Sequence, residues 1–238
     1  MAGRKGALIL DTARQMFLER GYDATSLDDV AAASGVSKTT VYNNFEDKEG
    51  LFSAVVLSVT ERAEQIISEL GVTLSGDGPV AGRLAAVARA LARGVLNPAV
   101  VQLRRLAISE ALRFPDIVTA YWDRAPARTL ALLTDSFTQM TARGELDTDD
   151  PAAAAALFAY AVLGLYQDQA LLQPSRPLTR ADLDEHADKM VTAFLRAYAP
   201  AAHPQAVPRA DRDPQPGDAH PAVQVGAARV RGPAPTTR

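Results

Sequence analysis

Residues 34–52 read SGVSKTTVYNNFEDKEGLF, and the order of residue types in this stretch decides the fold. Gly35 closes a short apolar segment, Ser37 is a good helix N-cap, and Asp47 precedes a second apolar run that opens at Leu51. The stretch predicts a short helix from just after Ser37 to Phe45, followed by a longer helix capped by Asp47. At about 100° per residue, Val41 and Phe45 lie within about 40° of each other and face the core. Thr39 and Asn43 then fall on the opposite side, flanked by Thr40 and Tyr42.

Just upstream, Ser26 with Asp29 forms a capping box that opens another short helix, with Leu27, Val30, Ala31 and Ala33 as its inward face. Two short helices joined by the turn Ser34-Gly35-Val36-Ser37 make a helix-turn-helix, whose second helix can enter a DNA major groove. The outward residues suit that role. Asn pairs bidentately with adenine, Thr meets a thymine methyl or an acceptor, and Tyr reaches a phosphate or a methyl. Lys48, where free backbone N–H groups favour anions, is placed to hold a phosphate, and Ser26, Ser37 and Thr40 are hydroxyl candidates for backbone contact. A helix-turn-helix is also a common packing unit, and spacing alone leaves both readings open.

Around this unit the periodicity is helical up to about Tyr198, so the fold class is all-α. A first helix has Leu8, Leu10, Ala13, Phe17 and Leu18 as its apolar face and stops at Gly21. The fourth runs to about Leu70 on the stripe Leu51, Val55, Val59, Ala63, Ile66 and Ile67. Residues 71–79 (GVTLSGDGP) read as a linker. Later helices are punctuated at Asn97-Pro98, Phe114-Pro115, Arg143-Gly144, Asp150-Pro151 and the PSRP loop at 174–177, and Thr179 can cap the last. The expected organisation is a helix-turn-helix part over 1–50, a further helical part over 51–198, and a disordered tail over 199–238. That tail holds eight of the 15 prolines.

Composition narrows the chemistry. The chain of 238 residues has no cysteine, which removes disulfides, thiolate nucleophiles and zinc ribbons together, and makes the cytoplasm the simplest compartment. Neither a signal peptide nor a membrane span is expected, because Asp11 and Arg14 interrupt the first apolar run and the near-uncharged run at 151–167 is short and bracketed by Asp149, Asp150 and Asp168. A net charge of −3 gives no global pull on nucleic acid, so any DNA contact must come from local placement. An enzyme fares badly: His203 and His220 lie in the tail, and His186 stands among Asp182, Asp184, Glu185 and Asp188 on a helix face. No cofactor or metal is expected.

The segment YDATSLDDVAAASGVSKTTVYNNFEDKEGLF, residues 22–52, resembles the DNA-binding region of the TetR/AcrR family of bacterial transcription regulators. Every fixed position of the pattern T-[ST]-x-x-x-[IV]-A-x-x-[AS]-G-V-[ST]-x-x-[TS]-[LV]-Y-x-x-F-x-x-K-x-x-L-[FL] is met. The stretches ALRFPDIVTAYWDRAPARTLALLTDSF and ARGELDTDDPAAAAALF are similar to the regulatory region of AefR-like members. The resemblance implies that Ser37, Lys38, Thr39, Thr40, Tyr42 and Asn43 sit at the DNA, that Lys48 holds a phosphate and that Ser26 lies near the backbone. It departs from many members at Asn44 and Asp28, so operator sequence does not transfer.

The same resemblance implies a homodimer through helices at about 151–171 and 179–198, binding a double-stranded palindromic operator, and a small-molecule effector that releases a repressor. Tyr121, Trp122, Phe137, Met140, Phe158, Tyr160 and Tyr166 are the candidate effector-contacting residues, with Arg104, Arg105 or Arg128 to meet an acidic group. For any one of these residues the core reading is the stronger, since an aromatic at helical spacing is more often core than pocket wall. The alternative is a ligand- or partner-binding module of the same fold without strong DNA binding. The tail arginines at 209, 212, 229, 231 and 238 are either inert or add non-specific DNA attraction.

Overall fold

The computed structural model describes residues 2–200, apart from the side chains of 2, 3, 59, 61 and 62. The expected disordered tail lies, from residue 201 on, outside the described residues. Among them the regular structure is helical throughout: α1 (Ala2–Arg20), α2 (Leu27–Ser34), α3 (Lys38–Phe45), α4 (Lys48–Ser75), α5 (Val80–Val95), α6 (Pro98–Ser109), α7 (Pro115–Trp122), α8 (Arg128–Ala142), α9 (Pro151–Leu172) and α10 (Arg180–Tyr198). A π-helical turn, Asp123–Ala127, joins α7 to α8 and contains Pro126, whose missing N–H cannot continue an α-helical ladder.

Caps read from the sequence set most boundaries. Ser26, Ser37, Asp47, Asn97, Asp150 and Thr179 each accept a backbone N–H from the first turn of their helix, satisfying donors that have no intrahelical partner. The full reciprocal box forms at Thr179 and Asp182. At Ser26, the hydroxyl instead donates to the Asp29 carboxylate at 2.6 Å while accepting its N–H at 3.1 Å.

Two apolar cores lie along α4. The first gathers Ile9, Ala13 and Phe17 of α1, Val30 of α2, Val41 of α3 and Leu51, Phe52, Val55 and Val56 of α4, and closes against Leu103 of α6, Phe114 just before α7, and Ile117 and Tyr121 of α7. Its centre is aromatic: Phe52 meets Phe17 edge-on at 5.5 Å and Tyr22 at 5.1 Å, and Tyr22 meets Phe114 at 4.8 Å. The second packs Leu70 and Leu74 of α4 with faces of α5, α8, α9 and α10 around Phe137, Phe158 and Phe194. With 28 residues, α4 is about 42 Å long, enough to belong to both.

Three details differ from the sequence reading. Leu8 is about half exposed while Ile9 is fully buried; of the expected face of α1, Ala13 and Phe17 are in the core and Leu10 and Leu18 pack against it, joined by Ile9 and Met16. On α2, Ala33 is exposed and Ser34 is buried, its hydroxyl donating to Val30 O at 2.6 Å. The expected linker over 71–79 shortens to 76–79, because α4 continues to Ser75. Leu70 and Leu74 anchor that last turn in the second core, and packing overrides the turn-forming composition.

No single helix among the described residues is long and apolar enough to cross a membrane. The bent pair α5 and α6 has the length and composition, but Leu84, Val87, Leu91 and Leu103 are buried in the two cores.

Candidate nucleic-acid interface and effector cavity

The helix-turn-helix is built from a few local constraints. Gly35 ends α2 at φ 68°, a left-handed conformation that favours glycine. Ser37 then caps α3, accepting the Thr40 N–H at 3.2 Å, and its hydroxyl lies 2.8 Å from that of Thr40. Val41 is fully buried and Phe45 packs beside it, which fixes the rotation of the helix. Between α3 and α4 the chain turns tightly at Glu46, φ 53°, and Gly50 comes so close that a Cβ there would sit 2.6 Å from Phe45 O. Only glycine tolerates that approach, so Gly50 locks the angle between α3 and α4.

With α3 held this way, Thr39, Tyr42, Asn43 and Asn44 are exposed on one polar face. Ser26 and Ser37 are exposed at the starts of their helices, each occupied as an N-cap, and Thr40 is half-buried. Lys38 is exposed and its ammonium pairs with Asp28 of α2 at 2.6 Å; that carboxylate holds the Lys38 ammonium above its ordinary pKa. Lys48 is half-buried, donating to Asp23 O at 3.2 Å with its ammonium 4.2 Å from the Tyr22 ring centre.

Sequence reading missed the cationic clamp around Tyr22. The Arg113 guanidinium sits 4.5 Å from the same ring and pairs with Asp23 at 2.6 Å, keeping that carboxyl below its usual range. Burial raises the Tyr22 phenol despite Arg113. The clamp ties the segment after α1 to the loop before α7, and a lone Arg on a loop carries no sequence signal for such a partner.

A cavity of about 700 Å³ lies among α4, α5, α6, α7, the π-helical turn, α8 and α9, with Arg14 of α1 also on its wall. Of the expected contact residues, Tyr121, Trp122 and Tyr160 line it, as does Arg104. Phe137, Met140 and Phe158 do not: all three are essentially unexposed in the second core, where the two Phe pack on Phe194. Tyr166 instead meets the His186 ring at 4.7 Å, and His186 Nε2 lies 3.1 Å from Ala161 O. Arg105 turns away and donates to the carbonyls of Ala170 and Leu171 in the last turn of α9 at 2.9 and 3.1 Å, and Arg128 pairs with Glu64 at 2.7 Å. Helical periodicity reports which way a side chain points, and not whether a neighbour or a void waits there.

The acidic residues near His186 are likewise dispersed. Asp182 accepts the Thr179 N–H in the capping box of α10, Asp184 takes a bidentate pair from Arg93, Asp188 pairs with Arg89 at 2.8 Å and Glu185 with Lys189 at 2.6 Å. Among the described residues no group of three metal-ligating side chains converges.

Comparison with known proteins places these features. Residues 9–55 match the family described as bacterial regulatory proteins, tetR family, and residues 82–200 match the C-terminal domain of AefR-like transcriptional repressors. A crystal structure of a TetR-family transcriptional regulator from Mesorhizobium loti is 35% identical, with a TM-score of 0.77, over 84% of this chain and 98% of that one. The flavonoid-responsive regulator FrrA is 30% identical with a TM-score of 0.65, over 84% of this chain and all of that one. AcrR, an HTH-type transcriptional regulator of Shigella flexneri, is 34% identical over 104 residues, 44% of this chain. The chain spans less than half, 46%, of that curated relative's length. With both its helix-turn-helix and its C-terminal helices matched, and a solved relative aligned over nearly its full length, the chain belongs to the TetR family of transcriptional regulators.

Proposed function

We propose that this protein is a dimeric, cytoplasmic repressor that holds a palindromic DNA operator through two copies of α3 and releases it when a small molecule fills the cavity. The observation that carries the reading is the exposed polar face of Thr39, Tyr42 and Asn43 on a helix whose opposite side is anchored by buried Val41. Such residues make base-edge contacts in a major groove, and Ser26, Ser37, Lys38, Thr40 and Lys48 surround them as candidate phosphate contacts. Free Lys38 charge is reduced by Asp28, so base reading weighs more here than phosphate attraction.

Dimerisation through α9 and α10 is supported by the apolar residues that α9 leaves in solvent. Leu157, Leu165 and Leu172 are each at least half exposed and recur at helical spacing on one stripe. A two-fold axis there would present the two α3 helices to half-sites about 34 Å apart, one turn of DNA.

Coupling rests on shared walls. Ala107 and Tyr121 line the cavity and also belong to the first core, which packs beneath α1–α3. A ligand that shifts α6 or α7 therefore favours one seating of that core over another, and the separation of the two α3 helices follows. The test is selection of bound sequences from a random duplex pool at low and then moderate salt. A two-fold symmetric site is the expected result; folded, helical protein that enriches nothing would instead favour a ligand- or partner-binding module of the same fold.

A further inference from the structure

We infer that the cavity takes an amphipathic ligand with an apolar body and one anionic group, a carboxylate, sulfonate or ionised phenol, which pairs with Arg104. The inference rests on the effector-cavity reading above and specifies its ligand class. The cavity wall is mostly apolar, and its volume of about 700 Å³ falls in the range of pockets that enclose drug-sized molecules.

Among the described residues its cations are few, and all but one already have a carboxylate. Arg14 is paired with Asp11 and Arg93 with Asp184. Arg104, half-buried on α6, is different: its Nε donates to the Tyr121 hydroxyl at 3.3 Å, another N–H donates to the Gln167 side-chain oxygen, and its guanidinium carbon stands 5.9 Å from the Tyr121 ring centre. Every one of these partners is neutral. Among the described residues no carboxylate lies within ion-pair distance of Arg104, and the acidic residue on the cavity wall, Glu69, is exposed and unpaired with it.

A guanidinium has five donors, and neutral acceptors orient it without neutralising it. Withdrawn from water beside an apolar void, such a cation is under-compensated, and an anion entering the void supplies both the missing charge and a bidentate acceptor. Tyr121 and Gln167 hold the guanidinium plane in advance, so little ordering remains to be done on binding. A ligand without charge would leave Arg104 desolvated and unpaired.

Two fluorescent probes sharing one ring system separate these cases: anilinonaphthalene sulfonate, which is anionic, and phenylnaphthylamine, which lacks the sulfonate. Each is titrated into the purified full chain, with energy transfer from Trp122, the only tryptophan and a cavity-wall residue, as the signal. The sulfonate probe should bind about tenfold or more tightly than the neutral one, the increment of a charge-assisted hydrogen bond. In Arg104→Met that preference should collapse to near one with the neutral probe's affinity kept, whereas Arg104→Lys should retain part of it. A purely structural role would weaken both probes alike. Equal binding of both probes to the wild-type chain, which needs no variant to fold, overturns the inference and leaves the cavity reading intact, as does an unchanged preference in folded Arg104→Met. Binding of neither probe overturns the cavity reading as well.

Discussion

Arg83 offers a quantitative test of how the C-terminal end of α4 is held. Its side chain is only 8% exposed, yet it carries a full charge. One nitrogen donates to Leu74 O at 2.6 Å, in the last turn of α4 where carbonyls lack intrahelical partners, and another pairs with Glu145 at 2.7 Å. Nε is buried with no partner. Glu145, 26% exposed, has a second cation, Arg143, at 2.9 Å. The two partners are therefore unequal. Glu145→Met strands a buried guanidinium and should cost about 2–4 kcal/mol, shifted below the range of about 3–5 kcal/mol for breaking a fully buried pair because Glu145 is partly in water. Arg83→Met leaves Glu145 with Arg143 and loses mainly the bond to Leu74, about 1–2 kcal/mol. The double variant should cost no more than Arg83→Met alone, since no charge is then left stranded. Urea unfolding followed by helical ellipticity, at one protein concentration because assembly shifts apparent stability, gives all three values. Costs that add in the double variant, or Arg83→Met as the more damaging single change, would refute the reasoning.

Three further outcomes are expected. Phe52→Ala, at a fully buried ring meeting Phe17, Tyr22 and Phe114, should destabilise by about 3–5 kcal/mol; a loss under about 1 kcal/mol in the same assay would show that the first core tolerates a void there. Asp28→Asn releases Lys38 from its 2.6 Å pair, so the slope of log affinity for a selected duplex against log salt should steepen by about 0.9, one added phosphate contact, and an unchanged slope would leave Lys38 off the DNA. Asp23, Asp29, Glu145, Asp182 and Asp184 all have folded-state pKa values lowered, chiefly by hydrogen bonds to Arg113, Ser26, Arg143, Thr179 and Arg93. The unfolded chain thus binds more protons as acid is added, so their contribution is present above the ordinary carboxylate range near pH 4 and is lost as pH falls through the lower folded values. Unfolding at fixed urea should become easier from pH 5 to 3, and a gain in stability over that interval would contradict the assignment.

Much of this architecture was legible in the chain because helix starts are chemically marked. Ser26, Ser37, Asp47, Asp150 and Thr179 all cap where their side chains predict, Asn97 caps at the break read before Pro98, and Val41 with Phe45 fixed the outward face of α3. The end of α4 was not legible, since Gly71 and Thr73 suit a turn and only burial of Leu70 and Leu74 keeps them helical. The cavity was partly legible: Tyr121, Trp122, Tyr160 and Arg104 line it, whereas Phe137, Met140 and Phe158 fill a core indistinguishable from it by periodicity. Arg104 and Arg105 are adjacent and chemically identical, and only the fold shows one facing the cavity and the other the end of α9.

The claim that α3 reads DNA is tested most directly by repeating the duplex selection with Asn43→Ala beside the wild-type chain. Asn43 is exposed and has no role in the core, so the variant should fold normally. If α3 lies in the major groove, the variant's enriched site should keep its two-fold symmetry and lose preference at one symmetric pair of positions, by about 1–3 kcal/mol for a bidentate contact. An identical site with identical preference at every position would contradict the account.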